Sequence, residues 1–309
     1  MSEPLIAPEH RPLLELGRAL IGEGYRFTTP TPLTHARVVA RAREGRTLRE
    51  IFGWNLPFDP ATLGAPWTGW LEAAGALLLE PDGRMRSGVR FSSLEDTLLV
   101  HSGFPTGAAD SVFFGPDTYR FARLLKHLPG RFGRAVDIGA GTGAGLLSIR
   151  DRCEHLHLVD LNPRALRYAA INAELNGARA EVHESNVLKA LDGTFDLIVS
   201  NPPYLVDDAQ RTYRHGGQLG IELPARIAAE ALPRLAPGGA LVLYTGTPIM
   251  EGRDLFREAV SEALRRFGGT FQYEEVDPDV FGEELERPAY AGVERIAAVA
   301  LVARRAPGA

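Results

Sequence analysis

Short apolar runs alternate with helical patterns along the chain from residue 134 onward. The apolar runs lie near residues 135–138, 156–160, 180–184, 195–200, 240–245, 271–276 and 294–303. Asn162 followed by Pro163 predicts the start of one intervening helix, and Gly177 predicts its end. Strands that alternate with helices predict a parallel, doubly wound α/β sheet.

The first hundred residues follow a different pattern. Helical spacing extends over residues 10–21, 33–50 and 67–79. Two apolar stretches, 77–79 and 85–91, flank a Glu-Pro-Asp-Gly turn and predict a hairpin. This order predicts a smaller, mainly helical N-terminal domain of winged-helix-like organisation. With the boundary placed in the loop of residues 103–110, the domains are 1–107 and 108–309.

Residues 135–145, AVDIGAGTGAG, join a predicted strand to a predicted helix through alternating glycines. Glycine allows sharp turns and a close approach of the backbone to a ligand, and the helix N-terminus adds partial positive charge. Asp160 ends the next predicted strand about 20 residues further on, where a carboxylate can reach ribose hydroxyls. The loop predicts a nucleotide site, and it also satisfies the G-x-G-x-x-A fingerprint of dinucleotide binding.

A later predicted strand, within residues 195–204, ends in Asn-Pro-Pro-Tyr. Together, AVDIGAGTG, LVDLNP and VSNPPY resemble the class I S-adenosylmethionine-dependent methyltransferases that methylate amino groups. That branch is similar to protein-glutamine N5-methyltransferases, ribosomal RNA guanine-N2 methyltransferases and DNA adenine-N6 methyltransferases. The resemblance covers roughly the last two thirds of the chain. It favours methyl transfer over hydride transfer, since a nicotinamide enzyme has no need of Asn-Pro-Pro-Tyr at that position.

The resemblance implies a Rossmann-like sheet of seven strands with the last one antiparallel, and S-adenosylmethionine as the cofactor. It implies these cofactor-binding residues: Asp137, Gly139, Ala140, Gly141, Thr142, Gly143, Asp160, Asn186, Val187 and Asn201. Asn186 stands where the family often has a carboxylate for the adenine amino group, and its oxygen can still accept a hydrogen bond. Phe114, Asp117 and Thr118 are either neighbours of the cofactor's methionine end or ordinary capping and core residues.

The expected catalytic residues are Asn201, Pro202 and Tyr204. An amide or aminobase nitrogen is a poor nucleophile, because its lone pair is delocalised. The Asn201 side-chain oxygen and the Pro202 carbonyl can accept its two N–H groups and stabilise the charge that develops during attack. The two prolines keep this loop rigid, and Tyr204 offers a ring face for stacking.

The acceptor is left open by the sequence. Residues 211–220 resemble the glycine-pair loop of the glutamine methyltransferases, but Gln218 and Leu219 stand where that family usually has an acidic residue. A glutamine in a translation protein is the first hypothesis, and guanine in ribosomal RNA is the second. A DNA base, a small molecule and a non-catalytic RNA- or ribosome-binding role are further alternatives. Tyr213, Arg214 and His215 are either recognition groups or polar loop residues.

Composition narrows the class of protein. The 309-residue chain is 45% hydrophobic and has a formal net charge of −5, which disfavours a protein that coats nucleic acid by charge alone. A single cysteine, Cys153, excludes an internal disulfide. Neither a signal peptide nor a membrane span is expected, which predicts a cytoplasmic protein. The histidines predict no metal set, and the arginines of residues 37–49 form either a nucleic-acid face or a solvated face.

Overall fold

The N-terminal part of the chain consists of short helices and two hairpins. A computed structural model describes residues 7–42, 44–208 and 211–308. The helices are α1 (Arg11–Gly22), α2 (Pro32–Val39), α3 (Leu48–Phe52) and α4 (Trp67–Ala73). The strands β1 (Leu77–Leu79) and β2 (Met85–Ser87) form the predicted hairpin, and β3 (Val89–Leu94) and β4 (Thr97–Ser102) form a second one. The first six residues, on which the expected absence of a signal peptide rests, lie outside this description.

The single helix predicted over residues 33–50 is wrong. Helix α2 ends at Val39, and α3 begins only at Leu48. Thr47 and Glu50 form a capping box that starts the new helix, since each side chain accepts from the other's backbone N–H. The arginines therefore do not share one helix face; Arg49 donates to the Arg26 carbonyl and lies over the Phe27 ring. Arg43 lies outside the described residues.

The remainder of the chain forms the α/β part. Its elements are α5 (Pro116–Lys126), β5 (Phe132–Ile138), α6 (Ala144–Leu147), β6 (Cys153–Asp160), α7 (Pro163–Leu175), β7 (Ala180–Glu184), β8 (Phe195–Ser200), α8 (Glu222–Ala231), β9 (Leu235–Met250), β10 (Arg253–Asp254), α9 (Leu255–Phe267), β11 (Thr270–Asp277) and β12 (Arg295–Arg304). Asn162 caps α7 through its side-chain oxygen, which accepts from the Arg164 N–H, and Pro163 is the first helical residue.

The main sheet has the order β11-β12-β9-β8-β5-β6-β7. Strands β9, β8, β5, β6 and β7 run parallel, whereas β12 lies antiparallel to both β9 and β11. The Rossmann-like sheet with an antiparallel last strand is thereby confirmed. Strand order reverses at β5 and β8, and ligands of open α/β sheets bind beyond the carboxyl ends of the strands at such a point.

Helix α7 joins the N-terminal region to the sheet. Its Ala165, Tyr168 and Ile171 belong to the apolar core that includes the buried leucines of α1. The buried Asn172 accepts a hydrogen bond from the Val100 N–H at 2.7 Å and donates to the carbonyl oxygens of Val100 and Thr142. One side chain therefore connects β4 to the glycine loop. The boundary between residues 107 and 108 stays a prediction.

In the part of the chain that the structure describes, the helices are too short or too polar to cross a lipid bilayer.

Candidate functional site

The glycine loop turns directly after β5. Gly139, Gly141 and Gly143 have φ values of +68°, +55° and +76°, which favour glycine. The N–H groups of Gly139 and Ala140 both donate to the Val159 carbonyl, at 2.9 and 3.0 Å, and so hold the loop on β6. A Cβ at Gly139 would meet no atom within 4 Å, and one at Gly141 would meet only Val112 Cγ1 at 4.0 Å. These two glycines therefore border open space.

Asp160 fixes the loop from the end of the neighbouring strand. Its Oδ2 accepts from the Gly141 N–H and its Oδ1 from the Asn162 N–H, each at 2.9 Å. Burial raises the pKa of Asp160, and the two backbone N–H groups oppose that rise. The carboxylate is thus oriented by the backbone, and each oxygen keeps a free lone pair for a ligand.

Asp137 lies deeper, on β5, with 2% of its surface exposed. Burial raises the pKa of its carboxyl to about 8, and a weak hydrogen bond from the Leu146 N–H at 3.4 Å opposes this rise. A Cβ at Gly145 would lie 2.5 Å from Asp137 Oδ2, so glycine at that position lets α6 pass over the carboxyl. Burial therefore favours the protonated form of this carboxyl.

Asn186 and Val187 follow β7 in a turn that is held by two side-chain hydrogen bonds, one from Ser185 and one from Arg226. Val187 has a φ of +57°, and its carbonyl accepts from the Ser185 hydroxyl at 2.9 Å. The side-chain oxygen of Asn186 accepts from Arg226 Nη2 at 2.5 Å. The oxygen expected to accept from an adenine amino group therefore already has one partner, which sequence reasoning missed.

Asn201 and Pro202 begin where β8 ends. The preceding Ser200 is fully buried, and its hydroxyl donates to the Ile138 carbonyl on β5 at 2.7 Å. Asn201 is half-buried and Pro202 buried. Tyr204 is 7% exposed, and its hydroxyl donates to Asp117 Oδ2 at 2.6 Å. The end of β8 is thus tied both to the strand that carries the glycine loop and to α5.

The glycine-pair loop packs backbone to backbone against residues 203–204. A Cβ at Gly216 would lie 2.7 Å from the Pro203 carbonyl oxygen, and one at Gly220 would lie 2.0 Å from that of Tyr204. Gly220 also has a φ of +77°. Sequence reasoning missed the close contact of Gly220 with the Tyr204 backbone. The one visible signal was a further glycine four residues after Gly216.

The three candidate recognition residues take different environments. Tyr213 stacks on Phe113 with 6.0 Å between ring centroids and donates to the Thr106 carbonyl at 2.6 Å. Arg214 forms an ion pair with Glu284. His215 Nδ1 is buried and has no hydrogen-bond partner among the described residues.

All these elements surround one cavity of about 430 Å³. Of the predicted site residues, it is lined by Asp137, Gly139, Ala140, Gly141, Thr142, Asp160, Asn186, Val187, Asn201, Pro202 and Tyr204, together with Asp117, Thr118, Tyr213, Arg214 and His215.

Two candidates do not line the cavity. Gly143 caps α6, and a Cβ there would meet Leu147 and Leu158 at 3.1 Å, so it faces the core. Phe114 is 1% exposed and stacks on His101, while its neighbour Phe113 lines the cavity instead. Gly115 is the N-cap residue of α5, and the Thr118 hydroxyl accepts a weak hydrogen bond from the Gly115 N–H at 3.4 Å, so Thr118 contributes to the cap without being the N-cap residue.

A histidine cluster lies elsewhere, on β6 and the edge strand β7. His157 Nδ1 lies 3.5 Å from His183 Nε2, and both nitrogens lie within 3.7 Å of Glu181 Oε2. Arg134 Nε donates to His157 Nε2 at 3.3 Å. Sequence reasoning missed this approach, because His183 comes from a separate strand. A guanidinium beside the imidazole disfavours a bound cation, so we assign the cluster no metal.

Comparisons with known proteins found a matching family model and several relatives. The family model of the methyltransferase small domain matches residues 121–262. A release factor glutamine methyltransferase of Bordetella pertussis is 36% identical over 248 residues, covering 74% of this chain and 87% of that protein. One of Deinococcus radiodurans is 38% identical over 123 residues, or 36% of this chain and 44% of that protein.

Two further comparisons extend the range. A ribosomal RNA small subunit methyltransferase C of Shewanella loihica is 35% identical over 119 residues, or 38% of this chain and 32% of that protein. The crystal structure of Trm5b from Pyrococcus abyssi is 17% identical, with a TM-score of 0.50 over 74% of this chain and 62% of that one. That structural likeness concerns the fold alone. The chain spans only about half the length of several curated relatives that it matches.

Proposed function

We propose that this chain, which belongs to the class I methyltransferases of the methyltransferase small domain family, transfers a methyl group from S-adenosylmethionine to a planar NH2 nitrogen. The observation that carries the proposal is the shared cavity. The glycine loop, Asp160 and the Asn201–Pro202 turn come from three different strands and line one space.

The residues present fit an adenosyl cofactor. Gly139 and Gly141 leave space that a Cβ would fill, and Asp160 presents lone pairs that can accept two ribose hydroxyls. Asn186 borders the part of the cavity proposed for the adenine ring, and the buried Asp137 the part proposed for the methionine ammonium group. The bound sulfonium supplies an electrophilic methyl carbon, so the reaction needs neither a metal nor a nucleophilic side chain.

Asn201 and Pro202 are proposed to hold the acceptor nitrogen. The Asn201 side-chain oxygen and the Pro202 carbonyl oxygen can each accept one N–H. Pro202 and Pro203 restrict the backbone dihedral φ of the turn that carries both oxygens. Fixed acceptors orient the nitrogen lone pair and stabilise the positive charge that develops on attack. The half-buried position of Asn201 at the cavity wall agrees with this role.

A glutamine side chain in a translation release factor is the proposed acceptor. Relatives named release factor glutamine methyltransferase support it, including one aligned over 74% of this chain. The glycine-pair loop that packs against Tyr204 also resembles those enzymes, although Gln218 and Leu219 depart from their acidic residue. Guanine in ribosomal RNA is the second candidate, since a ribosomal RNA methyltransferase is among the relatives. The net charge of −5 favours the protein acceptor.

The test is methyl incorporation from radiolabelled S-adenosylmethionine. The protein is added to purified release factor and, separately, to extract from cells that lack the gene. We expect label on a glutamine of the release factor, located by peptide mapping, and loss of label from the extract on protease treatment. Label that is lost only to ribonuclease would overturn the protein acceptor in favour of RNA. Label in neither polymer would leave a small-molecule acceptor or a non-catalytic protein.

An Asn201→Ala variant tests the role of the turn. Loss of a group that polarises the reacting atom costs about 10²-fold in turnover or more, so methyl transfer should fall by that factor. Cofactor affinity, measured by calorimetry, should change little. Wild-type turnover in this variant would contradict the assignment of Asn201.

A further inference from the structure

Asp117 is a buried carboxylate in the first turn of α5, and it accepts hydrogen bonds from two buried tyrosine side chains. Its Oδ2 accepts from the Tyr204 hydroxyl at 2.6 Å, and its Oδ1 from the Tyr244 hydroxyl at 2.9 Å. Arg120 Nη1 donates to the same Oδ1 at 3.1 Å and bridges to Asp277 through its Nη2 at 2.8 Å. Both oxygens of the carboxylate are therefore occupied by fixed donors.

The ring of Tyr204 is covered by protein. Only 7% of the residue is exposed. A Cβ at Gly246 would lie 2.2 Å from Tyr204 Cδ2, so that glycine lets β9 lie directly against the ring. Phe281 packs on it edge-on, with 5.9 Å between centroids. Although Tyr204 borders the cavity, most of its ring is covered by β9 and Phe281, which leaves little of it exposed for stacking.

The carboxylate also connects elements that are distant in sequence. Tyr244 lies on β9, Asp277 ends β11, and Tyr204 ends the turn that follows β8. Asp117 joins Tyr204 and Tyr244 to α5, and Arg120 of the same helix joins Asp277. Asp117 and Tyr204 also line the cavity. The turn is therefore anchored to the sheet from a point outside its own strand.

We propose that Asp117 is a positioning residue that holds the Asn201–Pro202 turn through the Tyr204 hydroxyl, and that Tyr204 is a tether in this protein instead of a stacking platform. The consequence for methyl transfer rests on the proposed function. The tether itself is a property of the fold.

The physical reason lies in how the turn presents its acceptors. Asn201 and Pro202 act only if their oxygens stay where the acceptor nitrogen binds, and small misplacements reduce rates strongly. The two prolines restrict φ within the turn, but they do not fix the position of the whole turn relative to the cavity. The charge-assisted hydrogen bond at Tyr204 adds a buried side-chain anchor at the end of the turn, beside the backbone bonds that join Leu205 to Arg214 and Gly216.

The first test is hydrogen exchange of the backbone amides in residues 201–208, followed by mass spectrometry. The variants are Tyr204→Phe, which keeps the ring, and Asp117→Asn, which keeps the shape. We expect exchange in this segment to become at least about tenfold faster in Tyr204→Phe, since local opening no longer breaks a buried bond. It should rise by a smaller factor in Asp117→Asn, where a neutral amide oxygen replaces the charged acceptor. Exchange in residues 135–145 should stay unchanged.

Tyr25→Phe is the matched control. Its hydroxyl donates to the Phe91 carbonyl at 3.0 Å in the N-terminal core, so it removes one buried tyrosine hydrogen bond far from the turn. It should leave exchange in residues 201–208 unchanged. Unchanged exchange in Tyr204→Phe and Asp117→Asn would overturn the tether, whether or not the protein methylates anything.

The second test separates positioning from binding. In Tyr204→Phe we expect kcat to fall about tenfold while cofactor Kd stays within twofold. The Asp117→Asn, Tyr204→Phe double variant should be no slower than the slower single variant, because the hydroxyl through which Asp117 acts on the turn is already absent in Tyr204→Phe. Multiplicative losses in the double variant would contradict a shared bond. A wild-type protein that binds cofactor but transfers no methyl group would refute the proposed function, while the exchange result would still decide the tether.

Discussion

Replacing Asp160 with asparagine tests the proposed cofactor site at the residue with the most specific geometry. In the wild type, each carboxylate oxygen accepts a backbone N–H at 2.9 Å, one from Gly141 and one from Asn162. Asparagine has one oxygen and one NH2 group. One of the two backbone donors must therefore face another donor, and one ribose hydroxyl loses its acceptor.

The loss can be estimated from these bonds. A hydrogen bond to a charged group contributes about 1.5–3 kcal/mol, and a buried donor without a partner costs about 1–3 kcal/mol. The unpaired backbone donor costs the free protein and the complex alike, so it lowers stability and cancels from the binding free energy. The lost ribose bond remains, and about 1.5–3 kcal/mol corresponds to a fall in cofactor affinity of about 10- to 10²-fold.

Calorimetric titration with S-adenosylhomocysteine measures this directly, because this product of the proposed reaction keeps the ribose and has no methyl group to transfer. The matched control is Glu184→Gln. Glu184 is the register partner of Asp160 on β7 and is an exposed carboxylate outside the cavity lining. It should bind as the wild type does. A Kd for Asp160→Asn within threefold of the wild type would refute the ribose assignment.

Two further predictions concern a buried carboxyl and a close backbone contact. Burial raises the pKa of Asp137 to about 8 from an ordinary value near 3.8, so the folded state holds a proton that the unfolded state releases as pH rises through that interval. Between pH 5 and pH 8 the free energy of unfolding, measured with urea, should therefore fall by at least about 1.4 kcal/mol more in the wild type than in Asp137→Asn. Equal dependence of this free energy on pH in the two proteins would contradict the raised pKa. In Gly220→Ala, a Cβ 2.0 Å from the Tyr204 carbonyl oxygen should displace the turn and lower methyl transfer by about tenfold or more. Gly177→Ala, which has a similar positive φ and no atom within 4 Å, should lose about 1 kcal/mol of stability and keep its activity; equal activity in the two variants would show that the contact is unimportant.

The parts of the fold that depend on local chemistry were predictable. Asn162 and Pro163 predict the start of α7, because helix capping and the fixed φ of proline depend on residues close in sequence. The glycine loop was predictable because left-handed backbone demands glycine. The alternation of apolar runs likewise predicted the parallel strands near their observed bounds.

What the sequence did not reveal depends on contacts between distant residues. The hairpin of β3 and β4 turns at Glu95, whose φ of +54° is unusual for glutamate, so no turn signature marks it. The partners of Asp117 come from positions 204 and 244, and no spacing rule connects them. The helix predicted over residues 33–50 failed because the capping box at Thr47 outweighs helical propensity across the break.

The hydrogen bonds of Asn172 determine how the chain could be divided. A fragment that begins at residue 108 would lack β4, so this side chain would lose its partners at Val100 while still bonding to the Thr142 carbonyl in the glycine loop. The same cut would expose Tyr168 and Ile171 of α7, which now face the leucines of α1. Gene truncation or fusion at that boundary would therefore disturb a contact of the glycine loop itself. An exchange of the N-terminal region between relatives would also have to preserve the matching face of α7.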